Sequence, residues 1–161
     1  MKVIGVVDTT FSRVDMGSEA IQELQTFAQA NHWACKVVRR TVPGFKDLAV
    51  ECVRLFDDEK FDICLAIGWV GGMPIDTQCA HEAAMAIGSA QLLLRTHILE
   101  VFLHEHESSD PVELNAIAVG RATEHARNAL YLLFEPEQLT RWAGTGRRQG
   151  GPSVGPLGVE G

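Results

Sequence analysis

Thr41-Val42-Pro43-Gly44-Phe45-Lys46-Asp47-Leu48 joins an apolar run that ends near Val42 to an amphipathic run that begins near Phe45. Pro43 removes a backbone donor and biases Val42 toward an extended conformation. Gly44 permits a positive φ or a close backbone approach, so a strand stops here and a helix starts. The first amides of that helix, near Phe45, Lys46 and Asp47, have no intrahelical acceptor and can bind acceptor oxygens of a ligand. Lys46 adds a cation and Asp47 a carboxylate beside them, a set that suits a polyhydroxylated or heterocyclic ligand. The same octet also reads as an ordinary βα turn, with Asp47 as a first-turn helix charge.

Outward from this turn the chain alternates between strand and helix signals. Lys2 to Val7 is a β-branched run closed by Asp8-Thr9-Thr10, and Phe11, Ser12 and Arg13 follow in the loop at its carboxyl end. From Ser18, read as an N-cap, Ala20, Ile21, Leu24, Phe27 and Ala28 recur at helical spacing. Ala34 to Val42 is the second strand, and Leu48, Cys52, Val53, Leu55 and Phe56 form the buried stripe of the second helix. Ile63 to Gly68 is the third strand, followed by a flexible turn, Trp69-Val70-Gly71-Gly72-Met73-Pro74. That turn matches neither a dinucleotide fingerprint nor a P-loop.

Thr77 to Arg95 is almost wholly small and apolar, so this third helix needs cover on most faces, and a subunit interface is the natural cover. Ile98 to Leu103 is the fourth strand, ending in His104-Glu105-His106-Glu107, where His104 and His106 share a face at a spacing a metal could use but lack a third ligand in register. Pro111 starts a long helix to Phe134, on which Arg121, Glu124 and His125 read as a solvated ion-pair group. Pro136 to Ala143 forms a short helix, and the Gly/Pro-rich tail 144–161 is expected to be loosely ordered. The expectation is a single α/β domain over 1–143, with a four-stranded parallel sheet and helices on both faces. Ligands bind outside the carboxyl ends of such strands, where Thr9 to Arg13, Pro43 to Leu48, Gly68 to Pro74 and His104 to Glu107 converge.

Composition narrows the function classes. With 161 residues, 46% of them hydrophobic, the chain holds one full core. Its net charge of -7 and mere pairs of arginines argue against nucleic acid. Met1 runs directly into a strand with no signal-peptide pattern, and no apolar run reaches the ~18 residues of a membrane span, so a cytoplasmic protein is expected. Cys35, Cys52, Cys64 and Cys79 lack metal or disulfide spacing and read as reduced, mostly buried thiols. Cys79 and His81 could form a nucleophile pair, but packing and capping are the commoner roles for such residues.

Five segments in combination resemble a known family: Asp8-Thr-Thr-Phe-Ser-Arg-Val-Asp15, Thr41-Val-Pro-Gly-Phe-Lys-Asp-Leu48, Cys79-Ala-His-Glu-Ala83, Val101-Phe-Leu-His-Glu105 and Leu139-Thr-Arg-Trp-Ala-Gly-Thr-Gly-Arg-Arg-Gln-Gly150. Together they are similar to the archaeal-type riboflavin synthases, relatives of 6,7-dimethyl-8-ribityllumazine synthase, over roughly residues 2 to 150. The resemblance implies a three-layer flavodoxin-like fold, a homopentamer and active sites at subunit contacts. It implies a transferase that converts two ribityllumazine molecules into riboflavin and 5-amino-6-ribitylaminouracil, work that rests on positioning and modest acid or base help. By the same resemblance Thr10 and Phe11 bind substrate, Phe11 by ring stacking. The Pro43-Gly44-Phe45-Lys46-Asp47-Leu48 segment takes the ribityl chain and pyrimidine edge, and backbone at Gly68, Trp69 and Val70 forms the floor. Arg13, Lys46, His81 and His104 are the polar candidates for proton transfer or carbonyl polarisation. No tightly bound cofactor is implied, and a magnesium requirement is left open.

Two alternatives stand beside this reading. Lumazine synthases share Val42-Pro-Gly44 and Glu82-Ala-Ala84 but place a catalytic histidine where this chain has Ile75, and their phosphate-gripping loop has no counterpart in Trp69 to Pro74. A non-catalytic flavin-binding module would hold the ring and convert nothing.

Overall fold

The computed structural model describes residues 1–158, so residues 159–161, the end of the expected tail, lie outside the described residues. Four strands, β1 (Lys2–Thr9), β2 (Cys35–Val42), β3 (Ile63–Val70) and β4 (Ile98–His104), pair in the order β2-β1-β3-β4. Every pairing is parallel. Helices α1 (Met16–Ala30) and α4 (Pro111–Phe134) cover one face, and α2 (Leu48–Glu59) and α3 (Pro74–Leu94) cover the other. A short α5 (Pro136–Trp142) follows α4. This is the expected three-layer α/β/α fold of flavodoxin-like type.

The sequence of β3 explains the layers. All eight of its residues, Ile-Cys-Leu-Ala-Ile-Gly-Trp-Val, are buried, because a strand paired on both edges and covered on both faces has no solvent side. Alternation divides it: Ile63, Leu65, Ile67 and Trp69 enter the core against α1 and α4, while Cys64, Ala66 and Val70 enter the core against α2 and α3. On the first face Ala118, Ala122, Ala126 and Ala129 of α4 meet Ala20, Leu24 and Ala28 of α1, and the alanines let the helices approach closely. Trp33 stacks on Phe134 with ring centroids 5.1 Å apart and closes the far end of that core.

Element ends depart from the reading of the sequence where partners lie far along the chain. β1 runs two residues past Val7, because Asp8 and Thr9 pair with Thr41 and Val42. β3 absorbs Trp69 and Val70, which pair with Leu103 and His104, so the expected flexible turn shrinks to Gly71–Met73. The N-cap of α1 is Asp15, whose carboxylate accepts from the Ser18 amide at 3.0 Å; Ser18 itself lies inside the helix. The buried side of α3 is Ala80, Ala83, Ile87 and Ala90, whereas Ile75, Met85, Leu92 and Leu93 stand exposed. No helix among the described residues is long and apolar enough to cross a membrane.

Two expectations about the C-terminal third need correction. Arg121, Glu124 and His125 are not uniformly solvated, because the Gly150 turn of the tail folds back onto α4: His125 is buried and Arg121 partly so, while Glu124 stays exposed. Gly150 donates its amide to Glu124 at 2.8 Å and accepts from Arg121 Nε at 2.9 Å. The first part of the tail is also held: Arg147 lies 3.7 Å above the Trp142 ring, and Val154 donates to the Gly146 carbonyl at 3.0 Å, whereas Leu157 beyond them is exposed. Gly150 has φ +71°, and a Cβ there would stand 2.8 Å from His125 Nε2, so only glycine fits the turn.

His125 is thereby buried, with no hydrogen-bond partner for Nδ1. Burial, aided by the neighbouring Arg121 guanidinium, pulls its pKa down to about 4. A depressed imidazole means that the unfolded chain binds a proton which the folded chain refuses, so this contribution to stability is complete above the ordinary value and is lost as pH falls toward 4. The difference corresponds to about 3 kcal/mol. Denaturant titrations between pH 7 and pH 4 should therefore show stability declining with acid, and His125→Phe should flatten that part of the profile.

Candidate functional site

Beyond the ends of β1 and β2 the backbone keeps pairing. Thr10 donates its amide to the Val42 carbonyl at 2.8 Å, and Phe11 donates to the Pro43 carbonyl at 3.3 Å. Thr9 Oγ1 donates to the Phe11 carbonyl at 2.9 Å and fixes the bend. The Phe11 ring, 55% exposed, thus leans over the strand ends, and its edge reaches Gly71, where a Cβ would lie 3.7 Å from Phe11 Cε1. The ring is held open to solvent on a braced loop.

The segment after β2 is a 3-10 turn, Phe45–Asp47, and α2 begins only at Leu48. Gly44 is extended at φ −146°, so the positive φ permitted there is not used. Asp47 turns inward: its carboxylate accepts the Gly44 amide at 3.3 Å, and its amide donates to the Gly44 carbonyl at 3.0 Å. The amides of Phe45 and Lys46, at the start of the turn, precede any helical acceptor. Leu48, Trp69 and Val70 are core side chains, so they can offer a ligand backbone only. Gly68 has a packing reason: a Cβ there would stand 2.9 Å from the Phe102 ring and 3.2 Å from Phe45 Cβ. Thr10, Phe11, Pro43, Gly44, Phe45 and Gly68 therefore lie together in the crevice outside the carboxyl ends of β1, β2 and β3, with two aromatic side chains and main-chain groups among them.

The polar candidates fall into three separate groups around it. Lys46 Nζ pairs with Glu82 of α3 at 2.6 Å, and that partner, with Cys79 beside it, raises the lysine pKa. His81 also faces Glu82 and, across the sheet edge, Glu100 of β4. Arg13 pairs with Glu105, whose other oxygen accepts from Trp69 Nε1 at 3.5 Å, on the α1 and α4 side. His104 ends β4 beside Val70 and, by strand alternation, shares the sheet face of Phe102, which packs against Phe45 with ring centroids 6.0 Å apart. Its amide donates to Glu107 at 2.8 Å, and its Nδ1 is buried without a partner. Burial lowers its pKa below the usual imidazole value, so the ring is neutral at neutral pH and able to accept a proton. His106 stands beside it, with ring centroids 5.4 Å apart; among the described residues no three metal-ligating side chains gather.

A second recess of about 360 Å³ opens on the α1 side of the same strand ends, lined in part by Thr10, Arg13, Arg39, Thr41 and Trp69. Sequence reading passed over its centre. Asp8, 5% exposed, accepts from Thr41 Oγ1 at 2.6 Å and from the Arg39 guanidinium, which also donates to Asp15 at 2.8 Å and to Ser18 Oγ at 3.0 Å. A Cβ on Gly17 would stand 2.3 Å from Asp8 Oδ2, so glycine is needed where α1 starts. The signal was present: a lone carboxylate closing an apolar strand requires a partner, and Arg39 and Thr41 share one face of β2. Chemically, an exposed aromatic side chain such as Phe11 can stack on a flat ring, and main-chain groups at the strand ends can read its edge. The surrounding carboxylates, hydroxyls and guanidinium groups suit a polyol.

Known proteins resemble this chain over most of its length. The family described as 6,7-dimethyl-8-ribityllumazine synthase matches residues 2–135. A riboflavin synthase of Methanothermobacter marburgensis is 49% identical over 154 residues, which cover 96% of this chain and 98% of that protein. Riboflavin synthases of Archaeoglobus fulgidus and Aeropyrum pernix are 41% and 40% identical, again over 96% and 97% of this chain and 97% and 98% of theirs.

The crevice geometry separates two glycines. Gly68→Ala should lower stability by about 1–3 kcal/mol, because the new methyl meets a packed ring and backbone-bound Cβ. Gly44→Ala, where a Cβ meets nothing within 4 Å, should leave stability unchanged or raise it by up to about 1 kcal/mol. Denaturant midpoints of the two variants decide the point.

Proposed function

We infer that this chain, which belongs to the 6,7-dimethyl-8-ribityllumazine synthase family, is a riboflavin synthase within it. It joins two molecules of 6,7-dimethyl-8-ribityllumazine and releases riboflavin and 5-amino-6-ribitylaminouracil. One molecule gives a four-carbon unit to the other, and no external oxidant enters. The single observation that carries the reading is similarity at 40–49% identity along nearly the whole length of proteins named for that activity. The crevice favours it over lumazine synthesis: the turn Gly71–Met73 brings no cation to a phosphate, and Ile75 stands where the related enzymes carry a histidine.

The chain's own residues then divide the work. Phe11 stacks on a lumazine ring, and the Phe45 and Lys46 amides with the Gly44 and Gly68–Val70 backbone meet ring edge and ribityl oxygens. Holding two rings in contact supplies much of the rate, since it turns an encounter of two molecules into a step within one complex. A proton must leave an acidic ring methyl of one lumazine before carbon–carbon bond formation. Of the polar candidates, His104 suits that role best: its imidazole is neutral, half-buried and on the crevice face of the sheet. It takes the methyl proton as imidazolium and returns it when the aminouracil leaves. Arg13, Lys46 and His81 act as charged or polar borders of the site.

The catalytic body is residues 1–143, and it works as a homopentamer in the cytoplasm with each site at a contact between subunits. The exposed apolar residues Ile75, Met85, Leu92 and Leu93 of α3 support that assembly, because a lone chain would leave them in water.

The test is direct. Purified protein supplied with the ribityllumazine alone should develop riboflavin fluorescence, with one riboflavin and one aminouracil formed for each two lumazines consumed. Absence of product, or product only when a phosphorylated four-carbon compound is added, overturns the reading. Phe11→Ala should keep assembly intact and raise KM by about tenfold through loss of stacking area, read in steady-state kinetics.

A further inference from the structure

Arg121 of α4 donates to three separate segments of the chain, yet the reaction scheme gives it no part. Its guanidinium holds both oxygens of Glu107, one of them at 2.7 Å from Nη2. The same group donates from Nη1 to the Phe102 carbonyl at 3.1 Å and from Nε to the Gly150 carbonyl at 2.9 Å. Glu107 in turn accepts the His104 amide at 2.8 Å. One planar cation therefore ties the last turn of β4, the 3-10 turn Glu105–Glu107 and the tail into a single rigid knot. Both of the strand residues that it fixes matter to the crevice: Phe102 packs on Gly68 and Phe45, and His104 ends the strand beside the floor.

We propose that Arg121 is a positioning residue for His104, acting through Glu107, and that the Gly150 turn of the tail is the clamp that keeps Arg121 in place. This rests on the assignment of His104 as the proton acceptor. The clamp gives a purpose to the Arg147-Arg148-Gln149-Gly150 segment, which lies outside the crevice. A glycine with φ +71° is the one residue that can present its carbonyl to Arg121 and its amide to Glu124 at the same point, 2.8 Å at the would-be Cβ from His125. Without the knot, the His104 turn keeps its sequence but loses its fixed distance to the ring. Proton transfer falls steeply with such misplacement.

The charges that face His104 are Glu107 and His106 from its own turn and Arg121 from α4. They provide a readout that mere loss of folding would not move. Removal of the Arg121 cation raises the His104 pKa, whereas removal of the Glu107 anion lowers it.

The experiment uses the full chain with the ribityllumazine as substrate, measuring kcat and KM from about pH 5 to about pH 9, since the acid limb of kcat reports the base. His104→Gln should lower kcat by about 100-fold. Arg121→Met should lower kcat by about tenfold with KM changed less than about twofold, and should move the acid limb to higher pH. Glu107→Gln, on an exposed turn, keeps the shape and should move the limb to lower pH; it decides the matter if Arg121→Met does not fold. Arg121→Lys, which keeps the charge but not the fork, should return the limb toward its original position while kcat stays depressed. Gly150→Ala should give the kcat loss with the limb near its wild-type place. If His104→Gln retains full kcat, the assignment of the base fails. If His104→Gln is impaired while Arg121→Met and Glu107→Gln leave kcat and limb unmoved, the positioning role fails and the base stands.

Discussion

A central strand with no solvent face governs this molecule. β3 is buried along its whole length, paired to β1 on one side and β4 on the other, and covered by helices above and below. Each of its backbone groups must find a partner in a neighbouring strand, and each of its side chains must find an apolar neighbour, which forces a sheet with two cores. Gly68 is the one place where the strand gives way, and the Phe102 ring fills that space. Because all strands run the same way, their carboxyl ends come together, and every loop that follows them opens on the same rim.

Much of this was legible in the sequence, for identifiable reasons. β-Branched runs closed by Pro43-Gly44 or Asp8-Thr9-Thr10 marked strands, and the 3.6-residue recurrence from Ala20 to Ala28 marked a helix. The loops at the strand ends were legible too, since turn residues sit where strands stop. The misread positions share one cause. Trp69 and Val70 look like the start of a glycine-rich turn, yet Leu103 and His104, far along the chain, draw them into the sheet. Arg121, Glu124 and His125 show by their spacing only that they share a helix face. That a tail lies over this face depends on a glycine carbonyl some thirty residues away, and local periodicity carries no such information. Asp8 and Arg39 belong to the same class, joined by strand register.

Electrostatics organises the rim in a way composition could not reveal. A chain with net charge -7 places its arginines and lysines against carboxylates around the strand ends: Arg39 on Asp8 and Asp15, Arg13 on Glu105, Lys46 on Glu82 and Arg121 on Glu107. The exposed ones, such as Lys46 on Glu82, contribute little to stability. Their value lies in direction: the pairs tie strand ends, loops and helices to one another, so that Phe11 and His104 project from braced backbone.

The packing of α1 against α4 has a consequence for the order of events during synthesis. The core on that face joins Ala20, Leu24 and Ala28 to Ala118, Ala122 and Ala126. A ribosome delivers the chain from its amino end, so β1, α1 and β2 emerge long before the helix that seals them. Until α4 has left the exit tunnel, the inner side of α1 and its face of the young sheet stay wet. Helper proteins that shield nascent apolar surface would find their substrate in that interval, and the last third of the chain ends it.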